Sequence, residues 1–468
     1  MNFKIARAVK MLGTCAIIVL LSAMHSFAQN ASLWLTNVER NKKLELQKPV
    51  LVFDTAKRNK NHIDVDASET FQSMDGFGYA LTGGSASLIM KMSPKARTAL
   101  LKEVFGLRGD GIGVSYLRLT IGASDLNDHV FSYDDLPDGQ TDEHLDKFSL
   151  GPDLLDVVPV LKEILAVSKE VKIMASPWSA PVWMKTNHNV KGGSLLPEFY
   201  KAYAIYFVKY IQAMKAEGID IDAITLQNEP LNDRNTPSLH MSALEEANFI
   251  KTAIGPAFAA AGIKTKVILF DHNCDTPEYP MSILADSVAS KYTDGSGFHL
   301  YAGTIDAMTK VHNAFPTKNL YFTEQMVIER HGNTIDMPVE RLIIGAPRNW
   351  SKNVILWNLA ADPEFNPHTD DGGCPFCQGA VTIDRDLVSK NIAYYAVAHA
   401  SKFVRPGSVR IASNAIDNLP NVAFKTPDGK TVLIVTNVSG RPQKFDIGFN
   451  GKYIAAELNS GSVGTFVW

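Results

Sequence analysis

Apolar and polar residues follow a strand–helix rhythm along most of the chain. Short apolar runs rich in β-branched and aromatic residues occupy 76–80, 115–119, 171–175, 223–227, 266–271, 297–301, 320–324 and 353–359. Between most of them lie segments with apolar residues at i, i+3 and i+4, at 94–104, 154–167, 197–217, 243–261 and 389–403. Within 197–217, Tyr200, Ala204, Phe207, Val208 and Ile211 form one such stripe, the mark of a helix that buries one face. Alternating strand–helix units predict an α/β fold, and eight of them fit a closed (β/α)8 barrel.

After Pro406 the rhythm changes. Runs at 409–411, 422–424, 432–437, 443–449, 453–458 and 463–468 are short and β-rich, and turn pairs such as Asp428-Gly429, Ser439-Gly440 and Asn450-Gly451 separate them. This predicts a small antiparallel β-sandwich. So small a unit buries a thin core and needs partners for its edges. The strand-like stretch 50–71, just before the first barrel strand, is placed to complete it. The expected organisation is a signal peptide at 1–28, an N-terminal segment at 29–72 lending strands to the sandwich, a catalytic barrel at 73–404 and a C-terminal β-sandwich at 405–468.

The chain begins with Lys4, Arg7 and Lys10, then a mostly apolar stretch from Met11 to Met24, then Ser26-Phe27-Ala28 before Gln29. That order reads as a secretory signal, so export to the periplasm or outside the cell is expected, with no integral membrane segment after cleavage. Cys15 lies at the start of the apolar stretch, whereas a lipid-attachment cysteine follows it. The formal net charge of −3 favours neither nucleic acid nor an anionic membrane as partner. Three cysteines lie beyond the leader. Cys374-Pro375-Phe376-Cys377 sits in a Gly/Asp-rich loop and, in an exported protein, reads first as a loop disulfide, with free thiols or a metal site as alternatives. Cys274 reads as a lone buried thiol.

The chemistry gathers at the strand ends. Gln227-Asn228-Glu229-Pro230 and Thr323-Glu324-Gln325 each put a glutamate at the C-terminal end of a predicted strand, the face on which such barrels keep their active sites. Two carboxylates across a sugar are what glycoside hydrolysis needs; a single glutamate in such a place is more often a solvated loop residue or an ion-pair partner. The second strand adds Arg118, the third runs into Trp178, the fifth ends in Asp271 and His272, the sixth gives His299 and Tyr301, and the eighth gives Trp357 and Asn358. Trp178 and Trp357 read either as core aromatics or as platforms for the apolar faces of a sugar ring. His299 and Arg118 read either as structural groups or as supports for the acids.

These motifs carry a family resemblance. Gly76-Phe77-Gly78, Leu117-Arg118, Ala175-Ser176-Pro177-Trp178, Trp183-Met184-Lys185-Thr186, Gln227-Asn228-Glu229-Pro230, His299-Leu300-Tyr301, Thr323-Glu324 and Leu356-Trp357-Asn358-Leu359-Ala360 together resemble glycoside hydrolase family 30, which includes glucosylceramidases and microbial β-1,6-glucanases. The resemblance implies a retaining β-glycosidase with Glu324 as nucleophile and Glu229 as acid/base. It implies that Asn228, Tyr301, Trp178 and Trp357 meet substrate, that Arg118 and His299 support them, and that no metal or cofactor is required. Arg118 is expected to keep Glu324 ionised, and the charge on Glu324 to raise the pKa of Glu229. Glucosylceramidase-like members carry a sugar-contacting Asp where this chain has Gly83, and the Cys374–Cys377 loop resembles that of the β-1,6-glucanases. The expected substrate is therefore a β-1,6-linked glucan or its oligosaccharides, and Gly83→Asp is expected to shift selectivity toward single β-glucosides if the loop tolerates a side chain there. The alternatives are a glucosylceramidase, an exo-β-glucosidase or β-xylosidase, and a non-catalytic glycan-binding protein.

Overall fold

Eight parallel strands close into a barrel in the computed structural model, which describes residues 30–329 and 334–468. The signal peptide expected at 1–28 lies outside the described residues. In order the strands are Gly76–Leu81, Tyr116–Thr120, Lys172–Ser176, Ala223–Thr225, Lys266–Cys274, Gly295–Gly303, Asn319–Glu324 and Ser351–Leu356, the last pairing with the first. They coincide with the eight apolar runs.

Alternation along a strand sorts the barrel interior into layers. Tyr116, Met174, Ala223, Ile268, Tyr321 and Ile355 form a buried apolar cluster of their own. Two residues further along come Arg118, Ser176, Thr225, Thr323 and, just past the eighth strand, Trp357, so an apolar plug carries a layer that is mostly polar. Leu117, Leu119, Ile173 and Phe322 belong instead to the large core shared with the surrounding helices.

The helices follow their end signals. Pro94–Phe105 begins at Ser93, whose side chain accepts from the Ala96 amide, and Pro94 occupies the first turn. The segment at 243–261 is helical throughout but not uniform. Ser242 and Glu245 cap it reciprocally, a π-helical turn spans Ile250–Ile254, and Gly255–Ala261 follows. The change of pitch falls where Pro256 has no N–H to give. The helix Gly83–Lys91, capped by Thr82, is absent from the pattern reading.

The C-terminal strands and the N-terminal segment form one ten-stranded set. His62–Ser73 pairs with Val409–Ser413 on one side and Gln443–Phe449 on the other, and Asn30–Asn37 pairs with Val463–Val467. Their core includes Leu433, Val435, Phe445, Ile447 and Phe466. The hairpin made by Asn30–Asn37 and Lys42–Leu46 lies outside the stretch singled out as strand-like. Among the described residues no helix is long and apolar enough to cross a membrane.

Candidate active site

The polar layer is organised around Arg118, which is fully buried. Its Nη1 donates to Glu324 Oε2 at 2.6 Å. Its Nη2 donates to Asn228 Oδ1 at 2.7 Å and Asp271 Oδ2 at 2.8 Å, and its Nε to Ser176 Oγ at 3.2 Å. One guanidinium therefore ties the ends of the second, third, fourth, fifth and seventh strands, and its fixed fork sets where each partner points.

His299 faces the same group from the sixth strand. Its Nδ1 lies 3.2 Å from Glu229 Oε1 and its Nε2 3.1 Å from Asp271 Oδ1. Tyr301 Oη donates to Glu324 Oε1 at 3.0 Å, and Asn232 Nδ2 donates to Glu229 Oε2 at 2.6 Å. Single donor atoms of Glu229, His299 and Glu324 all lie within 4.8 Å of one another. That spacing would suit a shared cation, but the donors are already committed. Both His299 nitrogens face carboxylates, Arg118 donates to Glu324 and Asn232 to Glu229. The two glutamates thus converge on one spot at the barrel mouth, each about nine-tenths or more buried.

The charges do not fall as the sequence suggests. Burial pushes Glu229 up, but the hydrogen bond and charge of His299, with His272 and Asn232, outweigh it and bring the carboxyl to about 2. Burial raises Glu324, His299 and Arg118 pull it back, and the charges of Glu229 and Asp271 leave it above its ordinary value. The expected order, Glu324 low and Glu229 raised, is therefore reversed. His299 pulls both carboxyls down; on Glu229 its hydrogen bond and charge win, whereas on Glu324 burial wins. Burial alone would lower His299, but the Glu324 charge and the hydrogen bonds to Asp271 and Glu229 raise it to about 9. At neutral pH the His299–Glu229 pair holds one proton, which sits on the imidazole side.

Trp178 and Trp357 stack with centroids 5.3 Å apart, and the Arg118 guanidinium lies 4.8 Å from the Trp178 ring. Both are buried; with Ala80, Leu126 and Cys377 they form a cluster against which Met326 and Cys374 pack. Cys374 and Cys377 are joined by a disulfide, and Cys274 is a free, buried thiol that burial pushes up to about 12. The disulfide sits in the loop 362–380, whose ends are held by pairing of Ala360–Ala361 with Val381–Asp384. Buried polar atoms left without a protein partner at the strand ends include Trp178 Nε1, Gln227 Oε1, Gln325 Oε1 and Asn358 Oδ1.

Three groups at the mouth have roles that the sequence pattern does not show. Asp271 stands in the pattern only as a strand end. Asn232 lies three residues past Glu229, in a loop. Asp125, in the loop after the second strand, is nearly buried, and burial together with the charges of Glu324 and Glu229 raises it to about 8. Gly83, expected in a loop, is the first residue of a helix, and a Cβ there would lie 2.1 Å from Asn127 Nδ2. An acid at 83 requires Asn127 to move, and Asp125 already brings a carboxyl group to the mouth.

Comparison with known proteins agrees with this layout. Residues 74–404 match the glycosyl hydrolase family 30 TIM-barrel domain and 407–466 the family 30 β-sandwich domain. An endo-1,6-beta-D-glucanase of Neurospora crassa is 35% identical over 86% of this chain and 84% of its own length. The solved endo-beta1,6-glucanase BT3312 superposes with a TM-score of 0.86 at 34% identity, covering 94% of this chain and 99% of its own. The lysosomal acid glucosylceramidase of Mus musculus is 28% identical over 87% of this chain and 83% of its own length.

Proposed function

The chain belongs to glycosyl hydrolase family 30 and is a glycoside hydrolase; on that premise we propose that it is an endo-β-1,6-glucanase that retains anomeric configuration. Glu324 is the nucleophile and Glu229 the acid/base. The observation that carries the mechanism is their spacing. Carboxyl groups about 5–5.5 Å apart serve a double displacement, whereas an inverting pair needs about 6.5–9.5 Å to admit a water. Oxygens of Glu229 and Glu324 within 4.8 Å fall on the retaining side.

In the first step Glu324 attacks the anomeric carbon while Glu229 gives a proton to the departing glycosidic oxygen. The proton comes from the His299–Glu229 pair: it leaves Nδ1 for Oε1, and imidazolium and carboxylate both become neutral. Bound sugar favours this transfer because it excludes water and raises the cost of separated charges. In the second step the ionised Glu229 takes a proton from water, and the oxygen left behind displaces Glu324 from the sugar. Arg118 and Tyr301 hold the Glu324 oxygens in line for both steps. Asn228 gives its acceptor oxygen to Arg118, so its NH2 is left to meet a sugar hydroxyl, a contact that strengthens as positive charge develops on the ring.

The linkage rests on the two endo-1,6-glucanase relatives, each above 30% identity over most of its length. Export, expected from the N-terminal leader, would bring the enzyme to polysaccharide. The orphaned polar atoms at the mouth and the nearly buried Asp125 suit a ligand rich in hydroxyls. The test is a hydrolysis screen over β-1,6-, β-1,3- and β-1,4-glucans, xylan, an aryl β-glucoside and glucosylceramide. The expected result is release of oligosaccharides from β-1,6-glucan at the highest kcat/KM. Equal or better turnover of glucosylceramide would overturn the substrate assignment.

A further inference from the structure

Regular alternation along the fifth barrel strand would turn Phe270, two residues after Ile268, into the polar layer. The strand does not alternate there. Phe270 pairs with Gly297 and His272 with Phe298, so Asp271 is the extra residue of a β-bulge. Phe270 and Asp271 adopt φ of 76° and 54°, a costly region for residues with side chains. The neighbours hold this backbone in place. The Phe270 amide donates to Glu246 at 3.1 Å, and Gly297 opposite leaves room, since a Cβ there would come within 3.3 Å of Asp271 Oδ1. What the bulge delivers is one fully buried carboxylate. It accepts from Arg118 and Thr225 on Oδ2 at 2.8 and 2.7 Å, and from Thr323 on Oδ1 at 2.6 Å, where it also faces His299.

We propose that Asp271 is a positioning residue for both glutamates at once, fixing Glu324 through Arg118 and holding a proton opposite Glu229 through His299. This rests on the roles assigned to the two glutamates above. Arg118 and a protonated His299 are two cations in one small dry space; the carboxylate between them removes their repulsion. Asp271 also sets the tautomer. With Nε2–H donated to Asp271, the proton that leaves His299 is the one on Nδ1, so the neutral ring still faces Glu229 with its acceptor. The other charged or titratable groups near His299 are Glu324 at 3.9 Å, His272 and Tyr301, with ring centroids at 6.4 and 6.2 Å. None of them contacts Nε2.

Two substitutions in the full chain test this by moving His299 in opposite directions. Asp271→Asn removes the charge and should lower the His299 titration midpoint by about 1–3 pH units. The alkaline limb of kcat/KM on an aryl β-glucoside should fall with it. Thr323→Val removes a donor from Oδ1, leaves that oxygen a stronger partner for the imidazolium, and should raise the midpoint. NMR of labelled imidazole reads both midpoints without relying on turnover, and Thr323→Val alone carries the test if the first variant does not fold. An unmoved midpoint in either variant, or shifts of the same sign, would overturn the proposal. Failure of the underlying assignment looks different: Glu324→Gln would keep its turnover while the His299 midpoints still moved.

Discussion

Arg118, Asp271 and His299 at the floor of the mouth expose nothing to solvent, whereas Asp371 on the rim loop leaves 82% of its side chain exposed. The floor is tied by buried charge-assisted bonds that reach across six strands. The rim loop 362–380 is tied by lighter contacts: Thr369 to the Asp125 and Thr236 carbonyls, Lys191 to Asp371 at 3.1 Å, and Cys377 Sγ lying 3.3 Å from Met326 Sδ. Charges in a dry interior act strongly and lose heavily when one partner is removed; exposed pairs contribute little. The floor therefore fixes the chemistry, and the rim shapes what reaches it.

That contrast orders the expected effects of substitution. Glu324→Gln removes the nucleophile, and turnover of every substrate should fall by on the order of 10^4–10^6-fold; a steady-state assay of purified variant checks it. Glu229→Gln should cost about 10^2–10^4-fold on β-1,6-glucan, yet spare the first step on an aryl glucoside whose leaving group needs no proton. A burst of released phenol followed by slow turnover is the expected trace. On the rim, Cys374→Ser with Cys377→Ser should act mainly on KM for glucan. Opening so short a disulfide loop should cost about 2 kcal/mol of stability, read by chemical denaturation. Lys191→Ala, at the exposed pair, should change kcat/KM a few-fold at most.

The floor also sets a pH profile that the rim should leave alone. Glu324 must be ionised to attack, and it sits above the ordinary glutamate range, so the acid limb of kcat/KM should lie above pH 4.5. The His299–Glu229 pair must keep its proton, so activity should fall as pH rises through about 9. The same group links to stability. His299 is raised on folding, so its contribution is full below about 6.5 and is lost as pH rises through about 9. A rim variant that moved either limb would break the division between the two regions.

The two regions also differ in how far the sequence reveals them. The barrel was legible because its strands are continuous apolar runs and its inward polar residues follow two positions after an inward apolar one, as Arg118 follows Tyr116. Glu229 and Glu324 were legible as acids at strand ends. Asp271 was legible as a strand end but not as the buried partner of Arg118 and His299, because its inward turn depends on a bulge and on left-handed backbone at two ordinary residues, which no alternation pattern encodes. The charge order of the glutamates was also hidden, since it depends on a histidine seventy residues from Glu229. At the rim, the cysteine spacing pointed to the disulfide, but its packing against Trp178 and Trp357 follows only from the path of the loop. The helix at Gly83–Lys91 hid behind two glycines, and with it the close approach of Asn127 to position 83.

A double displacement across Glu229 and Glu324 is reported directly by the configuration of the first product. Proton NMR during hydrolysis of a β-1,6-gluco-oligosaccharide, sampled before mutarotation, should show the β-anomer appearing first and the α-anomer growing in later. An α-anomer formed first would mean inversion by a single displacement, and the assignment of Glu324 as nucleophile would be wrong.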